Sequence, residues 1–210
     1  MTAIKICGIT READALVAAH SGVNAIGLVF YGKSPRHVTP ARAAQLLRVL
    51  PPFVTSVGLF VDAAATEVKQ TLAVARVDLL QFHGDESPGF CSQFGVPYLK
   101  ALRVRPGQDL LQYALDFHDA KALLLDAYVE GTHGGTGATF DWALIPHNLP
   151  LPVVLSGGLT PDNVTAAIRS VRPWAVDVSS GVEMLGSANK GVKDAAKITA
   201  FVTGVRNADV

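Results

Sequence analysis

Thiols are scarce in this chain: Cys7 and Cys91 are the only cysteines among 210 residues. Two thiols make no disulfide framework, and no Cys/His cluster has the spacing of a zinc site. A surplus of one charge is missing too. Lys plus Arg and Asp plus Glu each number 18, so nothing basic points to nucleic acid and nothing acidic to a solvating tail. Any anion bound here must be held by local geometry. Long apolar runs are absent: none approaches the ~18 residues of a membrane-crossing helix. The start, MTAIKICG, lacks the charged and apolar regions of a signal peptide. The expectation is a cytoplasmic protein with reduced thiols that engages neither nucleic acid nor membrane.

What is present is core material. Hydrophobic residues make up 49% and charged residues 17%, a globular composition. No linker or low-complexity stretch divides the chain, so residues 1–210 are expected to form one domain. Apolar runs rich in Val, Ile and Leu fall at 3–7, 24–30, 55–61, 79–83, 98–104, 122–126, 152–156 and 175–179. They recur about every two dozen residues, the length of a strand, a helix and two short loops. Helical patterns fill the gaps. Residues 11–22 end at Gly22, a C-cap residue, and Thr39 with Pro40 opens a helix as N-cap and first helical residue. Thr160 with Pro161 repeats that start. Eight alternating units imply an α/β fold with a parallel sheet, either closed or open and doubly wound. Even repeats with no GxGxxG turn after the first strand favour closure, a single (β/α)8 TIM barrel.

In a barrel the chemistry sits at the C-terminal ends of the strands. Those ends carry Cys7, Phe30, Val61 with Asp62, His83, Arg103, Asp126, Ser156 with Gly157 and Gly158, and Asp177 with Ser179 and Ser180. In KICGIT (5–10) Ile4 and Ile6 alternate with Lys5 and Cys7, and Leu123 and Leu125 alternate with Leu124 and Asp126. If the isoleucines and these two leucines pack outward, Cys7 and Asp126 point into the barrel mouth. Alone, Cys7 reads as a small buried hydrophobe and Asp126 as a turn cap. At one rim they read as an acid–base pair. SGGLTPDN (156–163) and SSGVE (179–183) place glycine-containing turns after the seventh and eighth strands, where this fold holds phosphate on backbone amides. Two longer loops remain. Residues 31–39 carry Lys33, Arg36 and His37. Arg36 is placed to clamp a carboxylate, and Lys33 and His37 read as solvated. The Gly/Thr-rich loop 129–142 has the composition of a lid.

These segments resemble the phosphoribosylanthranilate isomerases of tryptophan biosynthesis over essentially the whole chain. The resemblance rests on KICGIT (5–10), SPRHV (34–38), GLFVD (58–62), QFHGDE (81–86), LLLDA (123–127), GGTGATFDW (134–142), LSGGLTPDNV (155–164) and VDVSSGVE (176–183). It implies a barrel of the phosphate-binding type that works without cofactor or metal. The implied substrate is a small phosphorylated aminosugar, and the implied reaction the Amadori rearrangement of N-(5'-phosphoribosyl)anthranilate. It implies Cys7 as general base, Asp126 as general acid, Arg36 against the anthranilate carboxylate, and Gly157, Gly158, Ser180 and Gly181 around the phosphate. His83 lines the site or is a structural histidine, and Asp177 positions substrate or bonds within the barrel. A monomer and a homodimer both stay open. The family more often has lysine at Ala138 and leucine at Phe82, and residues 184–194 run longer than its usual stretch. Two rivals remain: the aminoaldose isomerisation of histidine biosynthesis, whose pair is two aspartates where Cys7 stands here, and a phosphate-binding module without catalysis. A fused indole-glycerol-phosphate synthase has no room in this length.

Overall fold

The alternation of β1 (Ala3–Ile6) sets the plan of the molecule. Ile4 and Ile6 are buried outward with Ala15 and Ala18 of α1 (Glu12–His20), while Lys5 occupies the inner face. In the computed structural model, which describes residues 1–127 and 141–209, eight parallel strands repeat this arrangement and close in sequential order. The others are β2 (Ala25–Val29), β3 (Thr55–Phe60), β4 (Leu79–Phe82), β5 (Tyr98–Val104), β6 (Ala122–Ala127), β7 (Val153–Leu155) and β8 (Ala175–Val178). β8 returns to β1 with Lys5 opposite Asp177. The expected (β/α)8 TIM barrel is therefore the observed fold. Between the strands lie α2 (Pro40–Arg48), α3 (Ala65–Val74), α4 (Pro88–Ser92), α5 (Leu110–Asp116) and α6 (Val164–Val171), and α7 (Ala195–Ala208) follows β8.

Two apolar layers hold the barrel. The outer one lies between strands and helices and contains Ile6, Leu28, Phe60, Leu80, Leu123 and Val176. The inner one is small, with Leu99, Ala101, Leu124, Val154 and Ala175 filling the barrel, capped by Cys7, Val29, Leu59 and Val61 at the mouth. Phe82 centres an aromatic cluster in the outer layer. Its ring centroid lies 6.3 Å from Phe60, 5.8 Å from Phe90, 5.7 Å from Phe94 and 5.9 Å from Tyr98. Those partners give the Phe82 ring its place in the outer layer.

Six of the eight strands end one residue earlier than their apolar runs, yet their hydrogen bonding continues. Cys7 N–H donates to Val178, His83 N–H to Phe60 and Ser156 N–H to Leu125, each at 2.8 Å. The residues just past the strands are thus fixed as firmly as the strands. Thr39 caps α2 as expected, its hydroxyl accepting from Arg42 N–H at 3.2 Å. The second Thr-Pro pair behaves differently: α6 starts at Val164, not at Thr160. The Asn163 carboxamide accepts the Thr160 N–H at 2.8 Å and donates to Gly158 O at 2.9 Å. Those bonds fold residues 160–163 into a turn that ties the SGG loop to the helix. Among the described residues, the link from β6 to β7 holds one 3-10 turn, Trp142–Leu144, and no α-helix.

Candidate active site

Cys7 sits one residue beyond β1 and is buried at the barrel mouth. Its carbonyl accepts from Ser179 Oγ at 3.1 Å, which joins the end of β1 to the loop after β8. Below it, Lys5 Nζ meets Asp177 Oδ1 at 2.9 Å inside the barrel, both side chains nearly inaccessible. Ser156 Oγ stands 3.4 Å from the other Asp177 oxygen. Burial pushes the Cys7 thiol above its ordinary value, and Asp177 adds to this, while Lys5 and Lys193 pull it back in part. Burial alone would lower the Lys5 ammonium, but Asp177 and the Cys7 thiolate overcome it and hold the lysine charged. The thiol is thus the resting form, in a site already supplied with cations for the thiolate.

Across the mouth, Asp126 is buried at the end of β6. Its Oδ1 accepts the Ala127 N–H at 2.9 Å and its Oδ2 lies 3.1 Å from His83 Nε2. The other imidazole nitrogen, Nδ1, is 3.0 Å from Gln81 Nε2. Gln81 and His83 are two residues apart on and after β4, so both side chains turn inward. A carboxyl, an imidazole and an amide form one buried row.

The loops after β7 and β8 meet at the same rim. A Cβ on Gly181 would lie 1.9 Å from Leu159 O, so only glycine lets the two loops touch. Among the described residues, the Gly157 and Gly158 N–H groups make no hydrogen bond, which leaves two donors for an anion. Ser180 begins the short 3-10 turn Ser180–Val182.

Arg36 reaches this rim from the loop after β2. Its Nε and Nη2 grip Glu183 Oε1 and Oε2 at 2.6 and 3.0 Å, a bidentate pair. Glu183 Oε1 also accepts Lys193 Nζ at 3.0 Å. Lys193 in turn donates to Ser179 O at 3.0 Å. Burial pushes the Glu183 carboxyl up, but Arg36 and Lys193 draw it below its ordinary range. Burial lowers the Lys193 ammonium, and Glu183 offsets this only in part. Glu183 and Lys193 also pair as an antiparallel bridge, which closes the long 184–194 excursion at its base. The space above Gly8 is filled by the stem of Arg36, since a Cβ there would meet Arg36 Cδ at 2.5 Å. Gly8 therefore admits the arginine to the rim.

Cys7, Arg36, His83, Asp126, Gly157, Gly158, Asp177 and Ser180 all line one cavity at the barrel mouth. Gly181 lies behind it, bracing the loops. Lys33 and His37 are solvated. The lid loop and Ala138 lie outside the described residues, except for 141 and 142. Lys5, Gln81, Glu183 and Lys193 join the site without being expected from the sequence. For Lys5 a signal exists: it is the charged member of the inward face that ends on Cys7. The contacts of Glu183 and Lys193 depend on a loop closure that spacing does not reveal. Chemically, the arrangement offers a thiol and a carboxyl on facing walls, an anion cradle at one end and a guanidinium near the other groups. That suits proton transfers on a phosphorylated sugar.

Known proteins share this fold and sequence. Residues 4–204 match the family model of N-(5'-phosphoribosyl)anthranilate isomerase. The enzyme of that name from Nitrosospira multiformis is 60% identical over 202 residues, covering 96% of this chain and 95% of the relative. A crystal structure of a phosphoribosyl anthranilate isomerase with reduced 1-(o-carboxyphenylamino)-1-deoxyribulose 5-phosphate superimposes with TM-score 0.85 at 37% identity, covering 99% of this chain and 100% of that one. A structure of monomers generated from the dimeric Thermotoga maritima enzyme also gives TM-score 0.85, at 36% identity and the same coverage.

Proposed function

From a chain that belongs to the N-(5'-phosphoribosyl)anthranilate isomerase family, we infer that Cys7 is the general base and Asp126 the general acid of its reaction. The reaction itself is the family's: N-(5'-phosphoribosyl)anthranilate is isomerised to 1-(2-carboxyphenylamino)-1-deoxyribulose 5-phosphate, a step of tryptophan biosynthesis. The observation that carries the assignment is the placing of one thiol and one carboxyl, both buried, on the walls of one cavity beside the SGG and SSG loops.

The steps balance as proton transfers and need no cofactor. Asp126 gives a proton to the ring oxygen while the anilino nitrogen supplies the electron pair that breaks the C1–O bond. The product is an open-chain protonated Schiff base, whose charge acidifies the C2–H. Cys7 as thiolate takes the C2 proton, and the electron pair moves toward nitrogen to give the enolamine. Transfer of the C2 hydroxyl proton to C1 then yields the ketone. Cys7 is left as thiol and Asp126 as carboxylate, so one proton must pass between them, through solvent, before the next turnover.

Around this pair the proposed roles follow the geometry. Gly157, Gly158 and Ser180 receive the phosphate on backbone amides, with Gly181 keeping the loops together. Arg36 meets the anthranilate carboxylate with the part of its guanidinium that Glu183 leaves exposed to the cavity. Asp177 acts through Lys5. We place the reaction in one barrel domain spanning 1–210, as a monomer or homodimer. We place it in the cytoplasm, where free thiols such as Cys7 and Cys91 stay reduced. Among the described residues no helix is long and apolar enough to cross a membrane.

The test generates the substrate enzymatically from anthranilate and phosphoribosyl pyrophosphate, follows its fluorescence loss, and identifies the product by mass and chromatography. Enzyme-dependent aminoketose formation by the wild type, lost in Asp126→Asn, is expected. A folded wild type that leaves this substrate unchanged refutes the reading.

A further inference from the structure

Asp126 faces a difficulty that its own carboxyl does not solve. A general acid must hold a proton when substrate arrives, whereas a free aspartate gives it up at a pH of about 3.9 and a free imidazole at about 6.5. The contacts around Asp126 supply a second place for that proton. His83 Nε2 lies 3.1 Å from Asp126 Oδ2, within proton-transfer reach. Gln81 Nε2 lies 3.0 Å from His83 Nδ1. The other end of that amide, Gln81 Oε1, is buried with no hydrogen-bond partner among the described residues.

A buried acceptor without a donor is uncommon, and this one is half an amide turn from a nitrogen that sometimes needs it. With the NH2 toward Nδ1, the imidazole is neutral, its proton sits on Nε2, and Asp126 is a carboxylate. With Oε1 toward Nδ1, the ring carries Nδ1–H. A second proton then lies on the Nε2–Oδ2 line, as imidazolium with carboxylate or as imidazole with carboxylic acid. These two forms hold the same number of protons, so the acid form needs no further uptake from solvent.

Resting on the assignment of Asp126 as general acid, we propose that His83 is a positioning residue that keeps Asp126 supplied with its proton, and that Gln81 turns its unpartnered Oε1 to Nδ1 to hold the protonated dyad. The proton leaves His83 Nε2 for Asp126 Oδ2 and passes on to the ring oxygen, and His83 recovers one from solvent after turnover. Other groups share this environment. Arg103 stands beside Asp126 in register on β5, its guanidinium 3.5 Å from Asp85. Ser156, Asp177, Arg36 and Cys7 line the same cavity, and the Lys5–Asp177 pair lies beneath it. Those charges stay in place in the variants below, so a change in profile is assignable to the dyad.

The pH dependence gives a signature. The proposal requires the dyad to release its proton at lower pH than the thiol, which burial holds high. Activity then rises to a plateau at the dyad's apparent value and falls at the thiol's, and the plateau height reflects the gap between them. Removing the imidazole widens the gap. In His83→Asn the acid limb of kcat moves to lower pH and the plateau falls, by equal amounts on a logarithmic scale: tenfold for each pH unit. At the lowest pH the two profiles converge. Gln81→Glu, which favours the imidazolium, moves the limb to higher pH, and Gln81→Met moves it lower by less than His83→Asn.

The experiment measures kcat and KM against pH for wild type, His83→Asn, Gln81→Met and Gln81→Glu, each with a thermal melt. A limb movement matched by a plateau loss of at least tenfold in His83→Asn is expected. A loss by one constant factor at every pH overturns the proposal, because that is a structural effect. So does a raised KM at unchanged kcat, because that is a substrate contact. Should His83→Asn fail to fold, the opposite limb movements of the two Gln81 variants decide, and unmoved limbs in both overturn it. Turnover by Asp126→Asn would instead overturn the acid assignment itself. Loss of activity in Asp126→Asn together with unmoved limbs overturns this inference alone.

Discussion

Replacing Glu183 by glutamine removes one charge from a buried cluster that holds two cations. The carboxylate accepts Arg36 at 2.6 and 3.0 Å and Lys193 at 3.0 Å, with side-chain exposures of 11% for Arg36, 6% for Glu183 and 0% for Lys193. A glutamine is the same size but offers one acceptor and turns two donors toward the cations. Breaking a buried pair by removing one partner costs about 3–5 kcal/mol, which for a chain of this length lowers Tm by roughly 6–20 °C. Lys193 sets the lower end. Burial already disfavours its ammonium, so in the variant it can shed its proton and relieve part of the cost. The sign with pH follows from the lowered Glu183 carboxyl, which Arg36 and Lys193 hold down against the upward push of burial. A lowered acid contributes stability that is fully present above its unfolded value of about 4.3 and fades as pH falls through its folded value. Urea unfolding of wild type and Glu183→Gln from about pH 3.5 to 8 therefore shows the full gap at about pH 7 and a shrinking gap below about pH 4. A gap under about 1 kcal/mol at about pH 7, the worth of an exposed pair, refutes the reasoning. So does a gap that stays constant with pH.

Other expectations follow from the same geometry. Lys5→Met deprives the Cys7 thiolate of the cation that favours it most; the alkaline limb of kcat moves to higher pH and the plateau falls about tenfold for each pH unit the limb travels, and an unmoved limb contradicts the electrostatic role of Lys5. Gly181→Ala drives a Cβ against Leu159 O, so the loops after β7 and β8 part; if they hold the phosphate as proposed, inhibition by inorganic phosphate weakens and KM rises at least tenfold, whereas unchanged phosphate inhibition shows that the loop contact is dispensable.

Much of this molecule is legible in its residues because a barrel imposes two simple periods. Alternation in β1 and β6 aims Cys7 and Asp126 inward, and the strand–helix spacing closes the sheet. The glycines after β7 leave two amides without partners among the described residues, and Gly181 after β8 lets the two loops touch. What is not legible depends on contacts between residues distant in sequence. Lys193 reaches Glu183 only because the 184–194 excursion folds back on itself, and Arg36 reaches Glu183 across 147 positions. The start of α6 differs from the expected Thr-Pro start for a local reason: Asn163 bonds back to Thr160 and Gly158, and that turn outcompetes the cap. The orphaned end of Gln81 is visible only once the barrel interior is built.

The most direct test of the acid–base assignment is the turnover of Cys7→Ala, measured with saturating substrate on protein shown to be folded by its melting curve. Cys7 is buried at the mouth on the face that holds Lys5 and opposite Asp126. A base so placed contributes about 10² to 10⁴-fold. The kcat is expected to fall by at least the lower figure while inorganic phosphate still binds as in the wild type. A Cys7→Ala protein that turns over at the wild-type rate would contradict the role of the thiol as base.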